Sequence, residues 1–247
     1  MDSKDNIFEA TSLKVHFPVK KGVFGRVSGY VKALDDVSFS IKRGETLGVV
    51  GESGSGKTTL ARVVAGIVKP TLGSFKLYAP FGMVFQDPLG SLNPRRTIRA
   101  TIEEVLKIKR VSAPAVELPE MVGLDRSALD KYPHEFSGGE RQRICIARAL
   151  ASAPELLICD EAVSALDLSI RRQVLDLLSD LKRRLNLSML FITHDLGVVQ
   201  HIADRILVMH YGKIVESGEC RRIIASPAHE YTRSLVSAVP KIGKPLE

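Results

Sequence analysis

The chain of 247 residues carries 35 Lys and Arg against 28 Asp and Glu, a formal net charge of +7. This length allows one large domain, or a core domain with a small insertion, and disfavours two independent domains. The positive charge suits an anionic ligand, a nucleic acid or a lipid surface without choosing among them. No apolar stretch approaches the roughly 20 residues that span a bilayer, and the polar start MDSKDNIFEA is unlike a signal peptide. We therefore expect a chain that does not anchor itself in a membrane.

The three cysteines show no spacing typical of a metal site. Cys145 and Cys159 lie in apolar runs, where a small buried hydrophobic residue is the simplest interpretation. This cysteine usage fits a reducing, cytosolic compartment.

The N-terminal 45 residues alternate apolar and polar side chains in LKVHF and YVKALDDVSFSI, which predicts antiparallel strands. Five short apolar runs without strict alternation follow along the chain: TLGVVG, FGMVF, LLICDE, MLFITH and RILVMH. Runs of this kind predict strands of a mainly parallel sheet that is covered on both faces. Residues 170–185 are apolar every three or four positions, which predicts a crossover helix that packs on this sheet.

Residues 88–133 carry helical patterns and prolines but no strong strand signal, and we predict a small helical lobe there. The predicted fold class is α/β, with a P-loop core around a mainly parallel sheet, an N-terminal antiparallel β subdomain and this inserted lobe. We expect a single domain over residues 1–247. Its core and β subdomain would comprise about 1–87 and 134–247, and its lobe 88–133.

The segment GESGSGKTT matches the pattern G-x-x-x-x-G-K-[ST] between a predicted strand and a predicted helix. In such a loop the glycines let backbone amides surround a polyphosphate, Lys57 reaches the β and γ oxygens, and the Thr58 hydroxyl ligates Mg²⁺. The alternative is an ordinary glycine-rich turn before a helix, which the strand-loop-helix context disfavours. The predicted nucleotide-binding residues are Gly51, Glu52, Ser53, Gly54, Ser55, Gly56, Lys57, Thr58 and Thr59.

Polar residues follow three further predicted strands. LLICDE ends in Asp160 and Glu161, which places two carboxylates at the edge of the sheet where ligands bind in open α/β folds. We predict that Asp160 holds Mg²⁺ through water and that Glu161 is the general base toward an attacking water. Gln86 is predicted to sense Mg²⁺ and that water, and His194 to hydrogen-bond the γ-phosphate. Taken singly, each of these residues has a simpler alternative, an acidic helix start or a loop residue.

Together with FSGGERQR at residues 136–143, these motifs occur in an order that resembles the ATP-binding subunit of ABC transporters, over nearly the whole chain. The resemblance implies ATP and Mg²⁺ as cofactors. It also implies that two subunits associate head to tail, so that Ser137 and Gly139 contact the γ-phosphate held by the partner's P-loop. The signature residues are Ser137, Gly138, Gly139 and Glu140, and the loop that links the two sites is Ser164, Ala165, Leu166 and Asp167. Either Phe17 or Tyr30 would stack on adenine, and core packing is the alternative for both.

The resemblance implies further partners. These are a second ABC ATPase subunit, the same chain or a related one, and a membrane permease whose cytoplasmic helix docks near Gln86 and DPLGSLNP. An extracytoplasmic binding protein would act indirectly, and nucleic acid is not expected. The chain would lie peripherally on the cytoplasmic face of the membrane.

Two segments, VFQDPLGSLNPRRT and SPAHEYTRSLVSAV, are similar to the ATPases of peptide and nickel importers. We therefore predict uptake of oligopeptides or dipeptides, or of nickel or a metal chelate. Ala162, at a position where most family members have Pro, slightly favours nickel. The alternatives are a soluble ABC-type ATPase that is not coupled to transport and a nucleotide-binding scaffold without turnover. Two departures stand out: Glu140 occupies a position where Gln is usual, and the segment between Gly73 and Phe81 is short.

Overall fold

The computed structural model describes residues 5–21, 26–112 and 115–238. The strands are β1 (Asn6–Lys21), β2 (Arg26–Lys42), β3 (Thr46–Val50), β4 (Leu72–Leu77), β5 (Phe81–Val84), β6 (Leu156–Asp160), β7 (Ser188–Ile192), β8 (Arg205–His210) and β9 (Lys213–Glu219). The helices are α1 (Lys57–Val64), α2 (Pro88–Ser91), α3 (Ile98–Lys109), α4 (Leu118–Met121), α5 (Gly138–Leu150), α6 (Leu168–Leu185), α7 (Leu196–Ile202), α8 (Cys220–Ala225) and α9 (Glu230–Ser237). Among the described residues, no helix is both long and apolar enough to cross a bilayer.

The chain forms two compact units, and the first comprises Met1–Phe8, Ile41–Glu45 and Leu77–Phe191. Its strands follow the order β5-β6-β7, and β5 pairs with β6 in parallel, with Phe81 opposite Leu156. Every residue of β6 and β7 is buried, as expected of strands covered on both faces. Helix α6 buries the face that carries Val174, Leu178 and Leu181, in agreement with the helical period predicted for it.

Helix α5 approaches β5 closely because Gly82 lacks a side chain. A Cβ atom at Gly82 would lie 2.6 Å from the backbone oxygen of Ala149, closer than packed atoms allow. This close approach fixes the helix that begins at Gly138, within the FSGG stretch of residues 136–139.

Between α2 and α5 the chain contains the α-helices α3 and α4 and three 3-10 turns, at Ala115–Glu117, Arg126–Asp130 and Pro133–Glu135, and the described residues of this segment form no strand. Thr97 caps α3 by accepting a hydrogen bond from the N–H of Ala100. From α5, Arg148 donates to the backbone oxygen of Ser91 and Arg143 donates to that of Val122. The helical character of this segment agrees with the sequence, while its limits as a lobe of a single domain stay a prediction.

The second unit comprises Glu9–Ser40, Thr46–Lys76 and Ile192–Glu247. It contains an antiparallel sheet in the order β2-β1-β4, and separately the parallel pair β3 and β8, to which β9 adds in antiparallel register. A core of seven buried residues links these strands to the C-terminal helices: Val50, Leu196, Val199, Ile206, Val208, Cys220 and Ile223. The α/β class and the N-terminal antiparallel sheet are therefore as the sequence predicted, and all three cysteines are buried.

Candidate nucleotide site

The loop after β3 depends on glycine at two positions. Gly51 has φ +153° and a Cβ there would lie 2.2 Å from the backbone oxygen of Met209; Gly56 has φ +106° and its Cβ would lie 2.3 Å from that of Ala33. Neither position tolerates a side chain, because the backbone of neighbouring strands already fills the space. The loop is thus held tightly between a buried strand and the first turn of α1, and the N-terminus of a helix is a favourable place for an anion.

Lys57 lies inside this loop, with only 4% of its surface exposed. Its Nζ donates hydrogen bonds to the backbone oxygens of Gly51, at 2.7 Å, and Glu52, at 2.8 Å. These carbonyl groups solvate a buried ammonium that would otherwise be costly. Phosphate oxygens bind a cation more strongly than neutral carbonyls do.

A second group of polar side chains lies at the end of β6. Asp160 is the last residue of the strand and is 6% exposed, and Glu161 follows it with φ +50°, in the left-handed region. Non-glycine residues in that region are uncommon and concentrate at functional sites. The Nε2 atom of Gln86 donates to Oε2 of Glu161 at 3.2 Å, so the structure brings these two predicted catalytic residues together.

The FSGG loop ends in a capping box at the start of α5. Ser137 is the N-cap residue, and its Oγ accepts a hydrogen bond from the N–H of Glu140 at 3.3 Å. In return, Oε2 of Glu140 accepts hydrogen bonds from the backbone N–H of Ser137, at 2.8 Å, and from its hydroxyl, at 2.7 Å. The Ser137 hydroxyl, and next its backbone N–H, hold the pKa of Glu140 below its usual range. Glu140 is therefore an ionised partner of Ser137 in its own chain.

The loop at residues 164–167 is tied to the same strand end. The Ser164 hydroxyl donates to the backbone oxygen of Glu161 at 2.9 Å. Asp167 caps α6 by accepting from the N–H of Ile170 at 3.0 Å, and this bond holds the pKa of Asp167 below its usual range. The two contacts hold the two ends of this loop, one at the end of β6 and the other at the start of α6.

The two aromatic candidates for adenine stacking lie on the antiparallel sheet. Phe17, in β1, is 43% exposed and Tyr30, in β2, is 64% exposed, so core packing is wrong for both.

His194 is exposed just after β7, beside Asp195, which caps α7. The P-loop, both aromatics and His194 belong to the second unit, whereas Gln86, Asp160, Glu161 and the FSGG loop belong to the first.

One contact with the P-loop was missed by the sequence analysis. The backbone N–H of Glu52 donates to the Tyr231 hydroxyl of α9 at 2.9 Å, across 179 residues of chain. By sequence, the segment SPAHEYTRSLVSAV indicates only a similarity to peptide and nickel importer ATPases. No local pattern in it predicts a contact with the P-loop.

A glycine loop around a buried lysine, followed later in the chain by a buried strand that ends in two carboxylates, defines a nucleotide-binding protein of the P-loop α/β class. Residues 34–164 match the family model described as "ABC transporter", and residues 215–247 match that described as "Oligopeptide/dipeptide transporter, C-terminal region". The chain belongs to the ABC transporter family.

Individual relatives agree. The oligopeptide transport ATP-binding protein AppF of Bacillus subtilis is 46% identical over 265 residues, which cover 98% of this chain and 80% of that protein. A solved dimeric structure of a bacterial ABC transporter cassette matches with a TM-score of 0.75 and 26% identity, over 87% of this chain and 99% of the cassette. A structure of the same cassette after hydrolysis, bound to ADP and Pi, matches with a TM-score of 0.73, 26% identity and the same coverage. The chain is thus an ATP-binding, ATP-hydrolysing subunit of an ABC importer, and the soluble alternative is disfavoured.

Proposed function

We propose that this ATPase energises the uptake of oligopeptides or dipeptides through a membrane permease. The observation that carries the proposal is the match of residues 215–247 to the C-terminal region of oligopeptide and dipeptide transporters. Nickel or a metal chelate is the second candidate, and its support is Ala162, buried at the position where most family members have Pro.

Binding of the nucleotide is assigned to the P-loop. Residues 51–59 would surround the phosphates, with Lys57 exchanging the carbonyl oxygens of Gly51 and Glu52 for phosphate oxygens. Phe17 or Tyr30 would stack on adenine.

Magnesium fits the oxygen donors that the chain offers. Among the described residues, no three His, Cys, Asp or Glu side chains cluster as a metal site by themselves. Proteins commonly hold Mg²⁺ through one or two carboxylates together with substrate phosphates. Thr58, Gln86 and Asp160 are the proposed protein ligands, and the bound ion would neutralise charge on the phosphates.

Hydrolysis is assigned to Glu161 as the general base, because its carboxylate lies at a strained strand end and is oriented by Gln86. Gln86 would orient the attacking water as well, and His194 would donate to the γ-phosphate. In this proposal the chain contributes mainly positioning and electrostatic stabilisation, as is usual for phosphoryl transfer.

The FSGG loop supports a dimer in which each nucleotide contacts two chains. Ser137, Gly138, Gly139 and Glu140 would complete the site of a partner subunit, and the loop 164–167 would couple the two sites. Because ATP would then bind the associated pair better than the separate chains, nucleotide binding and association would be linked. The partner would be a second copy or a related ATPase, and an extracytoplasmic binding protein would deliver the substrate.

A groove in the first unit supports the docking of the permease. A cavity of ≈ 260 Å³ is lined by nine residues: Phe81, Gly82, Met83, Phe85, Val105, Lys109, Arg148, Ala149 and Ser152. Phe85, the residue before Gln86, is 40% exposed there. An apolar face of a cytoplasmic permease helix, with an acidic residue near Lys109, would fit this groove and hold the chain peripherally on the cytoplasmic face of the membrane.

Reconstitution tests the function directly. We expect ATP hydrolysis to rise when the chain is incorporated into proteoliposomes with a peptide permease pair and its second ATPase subunit, and labelled dipeptide to accumulate only with ATP. Accumulation of nickel in place of peptide would overturn the substrate assignment. A rate of ATP hydrolysis that does not change when the permease is present would contradict the coupling of hydrolysis to transport.

A further inference from the structure

We propose that Tyr231, in the C-terminal helix α9, positions the P-loop for nucleotide binding by holding Glu52. The C-terminal region would then help to set the affinity of this chain for ATP, in addition to its place in the core. The inference rests on the proposed role of the P-loop as the phosphate-binding site.

The geometry of the contact between Tyr231 and Glu52 is well defined. The Tyr231 hydroxyl accepts the N–H of Glu52 at 2.9 Å, and the Tyr231 ring stacks on the His210 ring with centroids 3.8 Å apart and planes 10° from parallel. Burial raises the pKa of Tyr231, so the hydroxyl stays protonated at neutral pH. The stacked ring fixes the direction from which the hydroxyl meets the loop, which makes the hydrogen bond directional.

Glu52 occupies a position from which such a bond affects the whole loop. Its N–H is held by Tyr231, while its carbonyl oxygen accepts from Nζ of Lys57 at 2.8 Å. When Lys57 turns toward phosphate, this carbonyl loses a partner and the loop loses one of its internal restraints. The bond to Tyr231 remains, so the loop keeps its shape and less ordering accompanies nucleotide binding.

Helix α9 is itself anchored independently of the P-loop. The carboxylate of Glu216, in β9, accepts hydrogen bonds from the backbone N–H groups of Ala228 at 2.9 Å and His229 at 3.0 Å, directly before the helix. Although burial acts in the opposite direction, the hydrogen bonds that Glu216 accepts hold its pKa below the usual range. Tyr231, Leu235 and Val236 pack against the core cluster that includes Val50, the last residue of β3. The helix that carries Tyr231 is thus held in place by contacts other than the hydrogen bond to Glu52.

The test compares Tyr231→Phe with Tyr211→Phe as a matched control. Tyr231→Phe removes the hydroxyl but keeps the ring on His210. Tyr211 also lies beside His210, with ring centroids 4.2 Å apart, but is 81% exposed. MgADP serves as the probe, because it is not hydrolysed, and its dissociation constant is measured by calorimetry together with the melting temperature of the nucleotide-free chain.

We expect Tyr231→Phe to weaken MgADP binding about three- to tenfold, the worth of one net hydrogen bond, and to raise the KM for ATP with little change in kcat. Tyr211→Phe should match the wild type. Glu216→Ala should weaken binding in the same direction, because it loosens the start of α9 without touching the loop.

Unchanged MgADP affinity in Tyr231→Phe would overturn the inference, and so would a lower melting temperature without an affinity change, which is the mark of a merely structural contact. A wild-type chain that fails to bind MgADP would instead overturn the proposed nucleotide site. If Tyr231→Phe does not fold, unchanged MgADP affinity in Glu216→Ala would also contradict the proposed role of Tyr231.

Discussion

Oε2 of Glu140 lies 2.7 Å from Oγ of Ser137, and accepts the hydroxyl proton that the signature loop would otherwise offer to a phosphate. In the proposed dimer, a nucleotide bound by the partner subunit would compete with a carboxylate for Ser137 and would also approach a negative charge. Glu140 is also the residue of the signature sequence at which Gln is usual.

We predict that Glu140→Gln strengthens ATP-dependent association of the ATPase pair by several-fold, because a neutral amide keeps the acceptor oxygen and removes the repulsion of phosphate. Association is measured by light scattering at increasing ATP concentrations, in a pair whose hydrolysis is blocked. Glu135→Gln is the matched control, since Glu135 accepts from the N–H of Tyr132 in a similar capping box nearby. Weaker association in Glu140→Gln would show that the carboxylate itself contributes to binding.

The bond between Glu140 and Ser137 also predicts a response to acid. A carboxylate whose pKa is lowered on folding contributes stability that is present above the unfolded value, near 4.5, and is lost as the pH falls through the lower folded value. The acid limb of stability below about pH 4.5 should therefore be shallower in Glu140→Gln than in the wild type. Urea unfolding across this range measures the difference, and identical acid limbs would contradict the prediction.

Glu161→Gln should slow ATP hydrolysis by a factor of about 10² to 10⁴ and leave ATP binding intact, because the general base is lost while the phosphate contacts remain. Single-turnover hydrolysis and nucleotide binding are measured on the same preparation. Glu155→Gln is the control: it replaces an exposed carboxylate, paired with Arg43 just before β6, by an amide. Its rate of ATP hydrolysis should match that of the wild type. Normal hydrolysis in Glu161→Gln would remove Glu161 from the role of base.

Gly51→Ala should prevent nucleotide binding and lower the free energy of unfolding by about 1–3 kcal/mol, because the new Cβ meets the backbone oxygen of Met209 at a positive φ. The change is followed by chemical unfolding and by MgADP titration. At Gly29 the added atom meets nothing within 4 Å, so Gly29→Ala should be close to neutral. Equal effects of the two substitutions would argue against a tightly held P-loop.

Phe85→Ala should reduce stimulation of ATP hydrolysis by the permease and leave the basal rate of the isolated ATPase unchanged, because Phe85 lines the groove proposed for docking. Ile108→Ala is the control: Ile108 is 70% exposed on α3 and is not among the residues that line the groove. Loss of stimulation in both variants, or in neither, would contradict docking at this groove. Proteoliposomes with the permease pair provide the measurement.

The elements of the fold that follow from local pattern were predicted well. β6 and β7 read as short apolar runs and are buried throughout, and the helical period of α6 matches the face that packs. The exposure of Phe17 and Tyr30 does not follow from their residue type, because only the course of β1 and β2 leaves these aromatic side chains outside the core. Glu140 pairs with Ser137 in the folded chain, and its role toward a nucleotide stays a prediction.

The sequence by itself determined the class of this protein, because the P-loop, the carboxylates after β6 and the FSGG loop are contiguous motifs whose chemistry depends on residue type and spacing. Only the tertiary structure decided which groups restrain those motifs. Tyr231 reaches Glu52 across 179 residues, and Gln86 reaches Glu161 across 75. Such contacts form where separate elements pack against one another, and no short-range pattern encodes them.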